Sequence, residues 1–136
     1  MITTKIIDNY VLLIEDGKAL LAVKKDNVLI FDDSVTSIGP SFMESDPTIE
    51  GVIFSDTIEE LDDNAFLHCS NLKFVVLGKK LKLISQCAFT DNKSLRYVLY
   101  NGTRKEYLEI LQGEPFETVG KIHCTDGIVW TVNAKD

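Results

Sequence analysis

Apolar residues return along this chain at a fixed interval of 23 positions. Leu29, Val52, Val75 and Val98 form one column, and Phe31, Phe54, Leu77 and Tyr100 form the next. Val35, Ile58 and Leu81 follow, then Ile38, Leu61 and Ile84. After these come Phe42, Ala65 and Ala88, then Met43, Phe66 and Phe89, and last Ile49, Leu72 and Leu95. All of these positions are apolar or aromatic although the chain as a whole is 45% hydrophobic, so the pattern is structural rather than compositional. A unit of this length cannot bury its own hydrophobic face and must stack on its neighbours, which is the signature of a solenoid.

Each unit can be read locally. "NVLIF", "GVIFS", "FVVL" and "YVLY" are short, β-branched and aromatic-rich, and predict strands. Strands at equivalent positions in stacked units pair in parallel. Side chains alternate along a strand, so the column residues point inward and their immediate neighbours outward. "GPSFM", "DNAFL" and "QCAFT" are too short for stable helices and predict one-turn helical or irregular pieces.

The ends of a solenoid need caps. "YVLLIEDGKALLAV" reads as a hairpin turning at Asp16-Gly17, which makes residues 1–27 an amino-terminal cap. Thr103 and Glu106 have capping-box spacing and Gly113 is placed as a stop, predicting a helix over 103–112 that buries Tyr107, Leu108 and Leu111. "KIHCTDGIVWTV" predicts a closing hairpin at Asp126-Gly127, with Trp130 completing the core. The expected architecture is one domain over 1–136, mainly β with short helical turns: cap at 1–27, repeats at 28–100, cap at 101–136.

The outward strand positions are Val28 and Ile30, Gly51 and Ile53, Phe74 and Val76, Tyr97 and Leu99, and all but Gly51 are apolar or aromatic. An exposed stripe of this kind marks an interaction site, and these seven residues are the candidate partner-binding set. Two other readings remain open: a second copy covers the stripe, or the Met1–Lys25 segment folds over it.

The phrase "TIEELDDNAFLHCSNLKFV" resembles the BspA-like leucine-rich repeats, whose unit runs approximately Val-x-x-Ile-Gly-x-x-Ala-Phe-x-x-Cys-x-x-Leu. Ile58, Leu61, Ala65, Phe66, Cys69 and Leu72 fall on that pattern. The next unit fits at Leu81, Ile84, Ala88, Phe89 and Leu95, with Asn92 in place of Cys. In the first unit Phe42-Met43 replaces Ala-Phe and Asp46 replaces Cys. The segment "YNGTRKEYLEIL … IHCTDGIV" is similar to the close of many such proteins, with Tyr107 where Trp is common. The resemblance implies a leucine-rich-repeat solenoid acting through protein contacts, often at a cell surface or secreted, and it implies no reaction.

Charge refines this picture. From Asp26 to Leu72 there are 11 acidic residues and no Lys or Arg, whereas Lys73 to Lys105 holds eight basic residues and the single acid Asp91. Linear stacking would put opposite charge toward opposite ends, a basis for head-to-tail self-association. The net charge of −7, without an aromatic platform among the lysines of "GKKLKL", argues against a nucleic-acid partner. No apolar run is long enough to span a bilayer. "MITTKIIDNYVLLIEDGK" lacks the features of a signal peptide, so a native start at Met1 would imply a cytoplasmic protein.

Candidate chemistry is sparse. Cys69, Cys87 and Cys124 form neither a disulfide framework nor a zinc pattern, and Cys69 sits in an inward column as a packed thiol. His68 and His123 lack partners at ligand spacing. The carboxylates at Asp32, Asp33, Glu59, Glu60, Asp62 and Asp63 do not follow a calcium loop. No nucleophile-elbow, dinucleotide or phosphate-loop motif occurs. The reading is a non-catalytic protein-interaction module needing no cofactor or metal, with a self-assembling structural unit as the alternative.

Overall fold

The computed structural model describes residues 1–116 and 118–131. Strands β1 (Ile2–Ile7), β2 (Tyr10–Glu15) and β3 (Lys18–Lys24) form an antiparallel meander in that order. Its second turn is the expected one: Asp16 (φ 52°) and Gly17 (φ 80°) both lie in the left-handed region that a tight hairpin requires. The first strand, "ITTKII", was not expected.

One 3₁₀ turn (Lys25–Asn27) leads into the solenoid. Strands β4 (Val28–Ile30), β6 (Gly51–Ile53), β8 (Phe74–Leu77) and β10 (Tyr97–Tyr100) pair in parallel, and every register partner is 23 residues away, as Leu29 with Val52 and Val75 with Val98. A second parallel ladder runs on the other side through β5 (Ser37–Ile38), β7 (Glu60–Leu61) and β9 (Leu83–Ile84). It ends on β11 (Leu111–Gln112), which pairs with β9. The "DNAFL"-type segments are turns rather than helices. They keep the period by placing Ser45, His68 and Asp91, each 23 apart, in the same left-handed conformation (φ 57–62°).

The last coil is longer because it carries the helix α1 (Arg104–Leu108). Thr103 accepts from the Glu106 amide, and the Glu106 carboxylate accepts from the Thr103 amide, so the capping box forms as read. The helix stops at Leu108 because the chain must return to the ladder at Leu111, opposite Leu83. Tyr107 is buried as expected, but Leu108 and Leu111 are exposed and Ile110 takes the core position. Strands β12 (Lys121–Cys124) and β13 (Gly127–Trp130) then extend the main sheet, β12 parallel to β10 and β13 antiparallel to β12. The reverse turn falls on Thr125-Asp126, one residue earlier than expected. Trp130 is 51% exposed on the outer strand, with the Lys121 ammonium 5.2 Å from its ring, and does not complete the core. Val132, the end of the expected hairpin, and the rest of the carboxy-terminal segment to 136 lie outside the described residues.

Two apolar clusters hold the fold. The first fills the solenoid and contains the repeat columns, with the Phe66 and Phe89 rings stacked at 5.4 Å and Phe116 continuing the stack at 4.9 Å. Asn92, at the position where the repeat pattern places Cys, is buried and fully bonded. Its Oδ1 accepts from the Cys69 amide (2.8 Å) and its Nδ2 donates to the Phe66 and Phe89 carbonyls (2.9 and 2.7 Å). One asparagine thereby joins two coils. The second cluster lies between the amino-terminal meander and the main sheet.

Candidate interaction surfaces

The outward face of the main sheet is not a free surface. Phe74, Val76 and Leu99 are buried, and Val28, Ile53 and Tyr97 are packed around them, beneath Ile2, Val11, Leu13 and Val23 of the meander. Of the seven candidate residues, Ile30 alone is largely open, at 45% exposure. The expectation of an exposed stripe is therefore corrected: the Met1–Lys25 segment folds over it. The expected end cap is corrected with it, because the meander lies on the strand face and leaves the end of the first coil open. Gly51 shows how closely that face is filled. A Cβ there would sit 2.1 Å from the Phe74 ring, so the missing side chain is the space Phe74 occupies.

Covering one apolar face exposes another. Strand register sets Tyr10 beside Ile7 and Leu12 beside Ala22 on the outer side of the meander, opposite Val11, Leu13 and Val23. Ile7 and Tyr10 are more than two-fifths exposed, and Leu12 and Ile14 are half-buried. A shallow apolar depression forms among Ile7, Tyr10, Leu12 and Ala22. The signal was already in "YVLLIE" and "KALLAVK", which do not alternate between apolar and polar as one-sided strands should.

The charge halves follow the stacking order and meet where the second coil lies on the third. Glu50 pairs with Lys73, and Glu59 with Lys82 at 2.9 Å, each 23 residues on. Both carboxylates are held below their ordinary range, first by the lysine hydrogen bond. Beyond the basic coil, residues 101–131 carry five acidic and three basic residues, so the far end is not a basic pole.

Neither buried thiol is activated. Burial pushes Cys69 and Cys124 up to about 11, and the Cys69 thiol donates to the Met43 carbonyl at 3.2 Å. His68 is exposed, with Nδ1 2.6 Å from the Asp91 carboxylate across neighbouring coils. His123 is half-buried and burial lowers its pKa. Among the described residues no three His, Cys, Asp or Glu side chains gather into a metal-binding group, and no helix is long and apolar enough to cross a membrane. Because burial shields Cys69 and Cys124 while Cys87 is exposed, a disulfide reagent is expected to modify Cys87 alone in the native state, and all three cysteines after denaturation. Rapid native modification of a second thiol would contradict the packing around Cys69 or Cys124.

Stacked parallel strands, a second short ladder and inward columns at a constant period define a solenoid of the leucine-rich-repeat class. The family model of the BspA type leucine rich repeat region matches residues 18–110 in six copies, and the chain belongs to that family. No curated protein and no solved structure matches it. Leucine-rich repeats of this kind generally mediate protein–protein interaction, and their solenoid is typically a non-catalytic scaffold.

Proposed function

We propose that this chain is a non-catalytic protein-interaction module in which the solenoid is a rigid support and the outer face of the meander is the contact surface. The observation that carries this reading is a sheet apolar on both sides. Its inner side is satisfied by the solenoid, while Ile7, Tyr10, Leu12 and Ile14 face outward with no apolar layer among the described residues against them. Apolar surface gathered in this way gains on association at roughly 25 cal/mol per Å² removed from water. A protein partner suits this face better than a nucleic acid, given the net charge of −7. Self-assembly is the second reading, favoured by the same face, since two copies could bury it against each other around a two-fold axis.

Leu12→Glu with Ala22→Glu tests both. The positions are not core, so the change in folding stability is expected to stay within about 1 kcal/mol. Sedimentation of the wild type should give a monomer under the first reading and a dimer, lost in the variant, under the second. In capture experiments from the source cell, the variant should lose a protein that the wild type retains. An unchanged captured set together with a monomeric wild type would sink both readings of this face.

A further inference from the structure

Among the described residues the first coil, 27–49, ends the solenoid without a lid. β4 and β5 are the terminal strands of their ladders, and among the described residues no strand pairs with their outer edges. Positions that close in later coils stay open here. Phe42 is 47% exposed where Ala65 and Ala88 are fully buried, and Ile30 is open where Val76 and Leu99 are buried. Leu29, Phe31, Val35 and Met43 are only half-buried in their columns. An unpaired strand edge beside accessible apolar side chains is the arrangement that accepts an added strand.

The charge on this end is predominantly acidic. Asp32, Asp33, Glu44 and Asp46 lie on the coil and Asp26 just before it, outnumbering the flanking Lys24 and Lys25, and none of the five makes an ion pair among the described residues. The acidic second coil finds its cations on its far side, through Glu50 to Lys73 and Glu59 to Lys82. Within the solenoid the first coil stacks on that acidic coil, while the meander packs on its Val28. A chain that joins acidic coil to basic coil in register leaves this face with an excess of unpaired carboxylates.

We propose that the open end of the first coil docks an extended, lysine- or arginine-bearing segment of a protein partner, added as a strand along the free edge of β4. Its alternate side chains would pack against Ile30, Phe31 and Phe42, and its cations would face the five carboxylates. A second copy is the poorer occupant. Head-to-tail stacking would bring this acidic coil against residues 101–131, with five acids to three bases, and edge-to-edge pairing would oppose two acidic coils. This site is separate from the outer face of the meander, so either can fail alone.

The test titrates the full chain with a short blocked peptide alternating Lys and Val, followed by amide NMR. Two control peptides carry Glu for Lys, or a central Pro that cannot join a strand. The expected result is perturbation centred on Val28–Ile30 and Phe42, with binding at least about tenfold stronger than for either control, as charge repulsion or loss of ladder bonds would produce. Added salt should weaken it. The variant Asp26→Asn/Asp33→Asn/Glu44→Gln removes charges that make no side-chain hydrogen bond or ion pair, and should weaken binding about three- to tenfold without altering the fold. No binding, equal binding of the Glu or Pro peptide, or perturbation centred on Ile7, Tyr10 and Leu12 would overturn the proposal. So would a concentration-dependent dimer whose formation shifts the Val28–Ile30 amides.

Discussion

Phe74→Glu is expected to unfold the protein rather than to silence a binding face. Read as an outward residue on an exposed strand, Phe74 should accept a carboxylate at little cost. In the structure its side chain is fully buried, lying over Gly51 and under the meander in the cluster with Val11, Leu13 and Val23. The substitution removes a large ring, at roughly 3–5 kcal/mol for loss of contacts and the resulting void. It also places a carboxylate where no cation of the second cluster can pair with it, which costs several kcal/mol more unless the group takes up a proton. Together these approach the whole margin of a small domain, ~5–15 kcal/mol. Phe74→Leu keeps the site apolar and should cost about 1–3 kcal/mol. Urea denaturation followed by circular dichroism checks both, and a cooperative Phe74→Glu transition near the wild-type midpoint would show that the meander does not cover this face.

The repeat was legible because stacking imposes it. A residue in one coil meets its equivalent in the next, so Val52, Val75 and Val98 must satisfy the same environment, and the period survives in the sequence. The surface was less legible because an outward apolar stripe carries the same pattern whether a partner or the chain's own segment covers it. The deciding cues were elsewhere: apolar residues on both sides of β2 and β3, and a glycine at position 51 in register with Phe74. Local signals succeeded where they act locally, as in the capping box at Thr103 and the left-handed turn at Asp16-Gly17. They failed where tertiary pairing wins. Gly113 marked a plausible helix stop, yet the helix ends at Leu108 because Leu111 is drawn into the short ladder. Trp130 looked like core from its size, but it sits on the last strand, with no further strand among the described residues beyond it.

Phe66→Ala is expected to cost about 3–5 kcal/mol, most of the stability that a single core substitution can remove. The Phe66 ring is fully buried and lies parallel to Phe89 at 5.4 Å, with Phe54 edge-on at 5.6 Å. Neither neighbour is free to fill the void. Phe89 is also packed on Phe116 at 4.9 Å, and Phe54 on Phe31 at 5.4 Å, so each ring is held from its other side. Phe42 provides the comparison. Its ring is 6.1 Å from Phe66, but nearly half of its surface is already in water, and Phe42→Ala should cost only about 1 kcal/mol. The contrast follows from position: in a solenoid, stability is a sum over coil-to-coil interfaces, and Phe66 serves interfaces on both sides while Phe42 belongs to the open end. Denaturation midpoints of the two variants decide the matter. A Phe66→Ala cost below about 1 kcal/mol, or equal costs for the two, would mean that the aromatic stack fills space without holding the coils together.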